Sequence, residues 1–324
     1  MAIWIPGFGI DKGGNGVADS SSGRVSERKR HSFFVDFFIR LVKEKPLGTV
    51  GAVITLILLL TGIFADVLAP YGYNEMTGEF LAAPQAGFWL GTDHLSRDLL
   101  SRIIYGARVS VIIGLAAPAL STVIGLAIGM TSGYIGGKFD LTVQRFVDGV
   151  ICLPWLVLLM LLMSLLGASM WTLILCIGGV GGITGSRFPR SVVISIKENV
   201  YVSAATAIGC PTSRILTRHI LPNIMAPMVI GFTASVPGVI LGEAALSFLG
   251  YGIPPPVPTW GSMLGGSARN YMFMSPWLVV WPGLALSTVV YGINMFGDAV
   301  RDLLDPRLRG GAGRYGVRVE KKPR

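Results

Sequence analysis

Charge is what this chain has least of. Of its 324 residues only 14% are Asp, Glu, Lys or Arg, while 52% are hydrophobic; a soluble domain carries about a quarter charged residues. Cysteine is scarce too, and Cys152, Cys176 and Cys210 lie far apart with no CxxC spacing, which argues against a disulfide framework or a zinc site. With three histidines, His31, His94 and His219, no histidine-rich metal centre is expected. The only Gly-Lys pair, Gly137-Lys138, is followed by Phe139 and lacks the first glycine of a phosphate-cradling loop. There is no GxSxG elbow, no HExxH and no acidic pair at metal spacing, so nothing makes a positive case for an enzyme. The net charge is +9, yet the Lys and Arg are dispersed with no basic stripe interleaved with aromatics. No nucleic-acid partner is expected.

What the chain has is apolar length. Several runs reach the roughly 20 residues needed to cross a bilayer's hydrocarbon core, and its 43 glycines suit helices whose backbones approach closely. The fold class expected is an all-α polytopic membrane protein with six spans, near 48–69, 109–132, 141–166, 171–192, 226–248 and 277–297. The fourth, with its Gly178–Gly182 run, gives the weakest signal. No signal peptide precedes them, since the first long apolar run begins only near Leu47.

Orientation follows from Lys and Arg. With the N-terminus inside, 23 of the 27 fall on the cytoplasmic side, as the positive-inside rule demands. Both termini are then cytoplasmic. The domain reading is a tail at 1–46 ending in an amphipathic helix, a membrane domain at 47–300 and a C-terminal tail at 301–324. Phe34, Phe38 and Leu41 share a face of that first helix, with basic flanks at Arg30, Lys43 and Lys45; it reads as an interfacial helix on lipid, or else as a soluble amphipathic one. The outer loops are 70–107, which ends in a helix-periodic run, and the Pro-rich 249–276.

One cytoplasmic stretch, within 197–222, is too polar to span and too patterned for a linker. Val202, Ala205, Ile208 and Gly209 fall at helical spacing and predict a short helix with a small-residue face. Gly209 and Pro211 end it, and a second helix carries Ile215, Leu216 and Ile220 to a stop at Leu221-Pro222. Arg214, Arg218 and His219 supply its polar side. Such a helix, break, helix unit suits a surface that another protein grips.

Within the spans, Arg145 and Asp148 are three apart and close enough to pair. Asp148 and Glu243 are the candidate pathway carboxylates, because ionisable groups in lipid are costly; Glu243 either lines a polar path or caps a partner helix. Asp66, at the outer end of its span, is given no role. Pro154, Pro189, Pro237 and Pro282 permit bending.

These residues resemble a known family, the inner-membrane permease subunits of binding-protein-dependent ABC importers, in the dipeptide, oligopeptide and nickel branch. The likeness rests on LGTDHLSRDLLSRIIYGARVS at 90–110, RFVDGVICLP at 145–154, YVSAATAIGCPTSRILTRHILPNIMAP at 201–227, GEAALSFLGYGIPPPVPTWGSML at 242–264 and NMFGDAVRDLLDPRLRG at 294–310. The resemblance implies a type I importer permease fold in a bacterial or archaeal cell membrane. It implies half of a translocation pathway, completed by a second related permease, for peptides brought by an external solute-binding protein. The stretch at 201–227 looks like the EAA loop that docks on two cytoplasmic ATPases. ATP and Mg belong to those partners, and no cofactor is expected in this chain. The coupling residues so implied are Ser203, Ala204, Ala205, Gly209, Arg218, His219, Leu221 and Pro222. Two departures stand out. Ser203 replaces the acid that names the loop, so docking is expected by shape through Ala204, Ala205 and Gly209. Ser96 replaces a usual glycine. The competing expectation is an ion-gradient-driven secondary transporter or channel, for which Asp148 and Glu243 are the coupling candidates; a membrane enzyme is a distant third.

Overall fold

The computed structural model describes residues 33–304. Expectations for 1–32 and 305–324, and for the side chain of Phe34, lie outside the described residues. Fourteen helices run through the described part: α1 Phe33–Glu44, α2 Pro46–Ile63, α3 Ala65–Leu68, α4 Leu99–Ile135, α5 Gly137–Ile151, α6 Trp155–Leu166 and α7 Met170–Gly185. They continue with α8 Arg187–Lys197, α9 Val200–Ala207, α10 Thr212–Arg214, α11 Leu221–Phe248, α12 Trp260–Leu264, α13 Gly266–Tyr271 and α14 Trp277–Leu304. Among the described residues there is no strand, only isolated bridges in the loop after α3.

Four stretches are long and apolar enough to cross a membrane: α2, α4, the run from α10 through α11, and α14. A fifth forms if α5 and α6 count as one span bent by 87°. The span expected over 141–166 is therefore broken, at one of the prolines expected to permit bending. Pro154 supplies the reason: it biases Leu153 away from helical backbone and offers no N–H to continue the ladder. The segment expected at 171–192 is also divided, because the chain turns at Ser186 between α7 and α8. Helix α4 starts ten residues before the expected span. Its 37 residues extend about 55 Å, well beyond a hydrocarbon core of about 30 Å, so one end stands clear of lipid. The Asp98 carboxylate caps that end by accepting from the Ser101 N–H at 2.7 Å.

Glycines decide how tightly these helices meet. Along α4, a Cβ added at Gly129 would lie 2.4 Å from the Ser186 carbonyl oxygen, and one at Gly133 3.0 Å from that of Arg190. The reciprocal contact comes from α7, where a Cβ at Gly182 would strike Ile124 at 2.6 Å. In lipid, helices associate through such close packing, since hydrocarbon offers little hydrophobic drive. The Gly-rich run that weakened the span signal is thus the seam that binds α7 to α4. Two apolar clusters build on it, one around Ile113, Leu159, Leu173 and Leu246, the other around Leu58, Ile240, Trp260 and Ile293.

The first and last described helices meet. Leu41 of α1 is buried against Ala299 and Leu303 of α14, and Lys45 Nζ lies 2.5 Å from an Asp302 oxygen. Phe38, expected on the same face as Leu41, is exposed instead. The apolar side of α1 is thus shared between protein and surroundings.

Candidate functional site

The patterned stretch folds as a helix, a break and a second helix. Helix α9 closes with a double hydrogen bond: the Gly209 N–H donates to the Thr206 carbonyl at 3.0 Å and the Cys210 N–H to that of Ala205 at 3.1 Å. This left-handed cap suits glycine, and Gly209 has φ +79°. Pro211 then starts α10, where a missing N–H costs nothing. The expected stop at Leu221-Pro222 does not occur. The chain passes through a wide π turn over Ile215–Ile220 and continues into α11 without a break. Pro222 cannot bond to the carbonyl four residues back, and a π turn just before it absorbs that misfit.

Burial sorts the coupling candidates. Ser203, Ala204, Gly209, Arg218 and Pro222 are exposed, and His219 and Leu221 are half-buried. Ala205 is buried at 6% exposure, with Val202, Ile215, Ile220 and Ile224 beneath α9. It supports the helix from below and offers no surface to a partner. Of the residues expected to share the gripped small-residue face, Val202 and Ala205 are thus turned inward, while Ile208 is 80% exposed, and Val200 is 84% exposed. The outward face therefore reads Val200, Ser203, Ala204 and Ile208, apolar or small throughout.

This unit is tied to the spans. Val193 of α8 is fully buried in the same cluster, with Leu126 and Met130 of α4 packed against it. Lys197 Nζ donates to the Tyr134 carbonyl at 2.6 Å and sits over its ring at 5.3 Å. Arg190 and Asp140 join α8 to α5 at 2.5 Å. The unit that carries α9 is thus in contact with α4, α8 and α11.

A groove of about 390 Å³ opens between α4, α6, α7, α8 and α11, bordered by Ser121, Thr122, Trp155, Phe188, Ser235 and Gly238. Midway along α11 the exposed positions Ala234, Ser235 and Gly238 are small, with Met225, Val229 and Leu241 exposed nearer its ends, whereas α2 exposes Leu47, Val50, Val53, Leu56 and Ile57. The second pattern is what lipid selects; the first suits a polar path or another protein. At one end Trp155 lies so close over Gly242 that an added Cβ would be 2.4 Å from the ring.

Neither Asp148 nor Glu243 borders this groove. Asp148 pairs with Arg145 at 3.6 Å, as its spacing suggested, and makes a closer pair with Arg187. Glu243 is 1% exposed, and its carboxylate accepts from the Ser247 hydroxyl at 2.6 Å. The Thr259 side chain, at the N-cap of α12, is its other hydrogen-bonding neighbour. Asp66, assigned no role from sequence, holds Arg108 at 2.7 Å.

These elements define a polytopic, all-helical membrane protein with a compact helix, break, helix unit on its spans and an uncharged, largely apolar groove between them. The chain belongs to the family of binding-protein-dependent transport system inner membrane components, whose family model matches residues 125–310. The N-terminal transmembrane domain of oligopeptide transport permease C matches residues 32–84. Among curated relatives, the dipeptide transport system permease protein of Alkalihalophilus pseudofirmus is 37% identical, over 83% of this chain and 88% of that protein. The oligopeptide transport system permease protein of Bacillus subtilis is 35% identical over 90% of this chain and 96% of its own length. The di/tripeptide transport system permease protein of Pseudomonas aeruginosa is 38% identical over 81% and 88%. Members of this family are membrane subunits of transporters and not themselves the catalysts.

Proposed function

We propose that this chain is one of two permease subunits of an ATP-driven peptide importer, forming half the pathway and coupling to cytoplasmic ATPases through Asn199–Pro222. The observation that carries this is the outward face of α9, with Val200 and Ile208 more than three-quarters exposed on a unit packed onto α4, α8 and α11. An exposed apolar patch on a rigidly backed helix fits a partner's groove. Charge counting places it in the cytoplasm. Six crossings, by α2, α4, the α5–α6 pair, α7, α11 and α14, suit the same reading, and the contact of Lys45, just before α2, with Asp302, near the end of α14, supports an even number of them.

The relatives' names supply the substrate class, di- and oligopeptides. An external solute-binding protein delivers the peptide, and ATP with Mg is used by the ATPases. The groove bordered by Ser121, Thr122 and Ser235 is this subunit's share of the pathway, and its open side faces the second permease. An uncharged wall that mixes hydroxyls and glycines with Trp155, Ile177, Phe188, Met228 and Phe232 suits peptides of varied side chains. It also speaks against ion coupling, which needs a carboxylate in the path. The test is uptake of a labelled tripeptide into proteoliposomes holding both permeases, the ATPases and the binding protein. Uptake that requires ATP and survives a proton ionophore is expected; uptake by this chain alone under a proton gradient would overturn the assignment.

A further inference from the structure

A second cavity, of about 220 Å³, lies between the two loops at the far end of the spans from α9, bordered by His94, Leu95, Arg97, Arg102, Pro255 and Met263 among others. Its floor is a buried charge cluster. Asp93 Oδ1 accepts from the backbone N–H groups of Leu95 and Arg97 at 2.8 and 3.0 Å. Its Oδ2 accepts from Arg97 Nε at 2.8 Å and Nη2 at 2.7 Å, and lies 3.5 Å from Arg102 Nε. One carboxylate thus serves two guanidiniums, whose side chains are 6% and 9% exposed. Arg97 Nη1 reaches only the Asn74 side-chain oxygen at 3.4 Å, and Arg102 Nη1 donates to the Tyr73 carbonyl at 3.0 Å. Arg102 Nη2 meets no acceptor among the described residues. The next acid, Asp98, spends Oδ2 on the N–H and hydroxyl of Ser101 at 2.7 and 2.6 Å.

Two buried cations on one shared anion leave a positive charge and an idle donor facing the cavity. Burying such a cation without a full partner costs several kcal/mol, and an anion entering the cavity recovers that cost through charge-assisted hydrogen bonds. The rim suits a protein. His94 stacks on Tyr271 at 6.1 Å, Phe80 meets the same ring at 6.2 Å, and Leu95 is 42% exposed. Aromatics around arginine are the composition of interface hot spots. The cavity shares no bordering residue with the groove along α11, so a carboxylate held there is not on the peptide's path.

We propose that this cavity is an anion socket in which Arg97 and Arg102 receive a carboxylate side chain of the external solute-binding protein. The proposal rests on the importer reading, which sets these loops on the outer side. It is tested on the assembled importer in nanodiscs, with the solute-binding protein that co-purifies with it as probe, titrated at low and high salt. Arg102→Met is expected to weaken binding tenfold or more and to flatten its salt dependence. Leu95→Glu, which places an internal carboxylate at the mouth, is expected to weaken it similarly. Unchanged affinity in both variants overturns the socket. If Arg102→Met fails to assemble, Leu95→Glu decides alone, because its substitution lies at the surface and keeps the backbone bond to Asp93. Repeating the titration with tri-alanine and with its C-terminal amide separates the sources: equal losses support the proposal, and a loss confined to the free acid assigns the socket to the substrate and overturns it. ATPases that remain bound to the variants while binding-protein affinity is unchanged sink the socket alone; a wild-type chain that holds no ATPases sinks the importer reading itself.

Discussion

The two ends of the molecule are held together by opposite means. The unit around α9 rests on apolar burial, with Val202, Ile215, Ile220 and Ile224 beneath it and one left-handed glycine shaping its break. The loops at the other end rest on ion pairs and hydrogen bonds, with Asp93, Arg97, Arg102 and Thr92 all buried. The first arrangement leaves a smooth surface suited to recognition by shape. The second leaves charge suited to recognition by electrostatics. On the proposed reading, a subunit gripped firmly on one side and visited transiently on the other has use for both.

The contrast can be broken most severely at Asp93. Asp93→Ala strands two buried guanidiniums and is expected to cost about 3–5 kcal/mol, read as a large fall in thermal stability of the purified protein; a fall no larger than that of an exposed control such as Glu75→Ala would contradict the charge-tied picture. At the other end, Ile220→Ala removes a fully buried side chain and is expected to cost roughly 2–5 kcal/mol, with hydrogen exchange rising in α9 while the outer loops stay protected. Protection lost equally at both ends would show that they are not separate units.

A smaller and opposite effect is expected at Ser96. Its φ is +58°, in the region that favours glycine, so Ser96→Gly should stabilise the outer loop by about 1 kcal/mol. A fall in melting temperature would show that the hydroxyl outweighs the backbone strain. The smallest effect concerns His94. Burial pushes its imidazole below the ordinary histidine range, Asp93 opposes that, and Arg97 and Arg102 reinforce it. In acid the unfolded chain therefore binds the extra proton more readily than the folded one. The contribution of neutral His94 is full above about pH 6.5, the unfolded value, and is lost as pH falls through the lower folded value. The melting temperature of the wild type should fall more than that of His94→Gln between pH 7.5 and pH 5; parallel curves would remove His94 from the account.

Much of this was legible in the chain. Apolar runs marked the spans, Pro154 marked the bend, and Gly209 with Pro211 marked the break after α9. Individual faces were not legible there, because α9 is eight residues of small or apolar type, and nothing in VYVSAATA separates the buried Ala205 from the exposed Ala204. Continuity through Pro222 was hidden because a π turn leaves no compositional trace. The pairs of Asp148 with Arg187, Asp140 with Arg190 and Asp66 with Arg108 join segments 39 to 50 residues apart, and only the fold brings them together. Ser96 was visible as a departure from a family pattern, and its left-handed backbone explains why glycine is usual there.

The central claim is that the outward face of α9 grips an ATPase by shape. Ala204→Trp places bulk on that exposed face without entering the core, and Ser203→Ala removes a hydroxyl where no carboxylate is lost. Co-purification of the ATPases with each variant from membranes is the direct measurement. Loss with Ala204→Trp at normal membrane insertion, and wild-type recovery with Ser203→Ala, is the expected result; wild-type recovery with Ala204→Trp would contradict it.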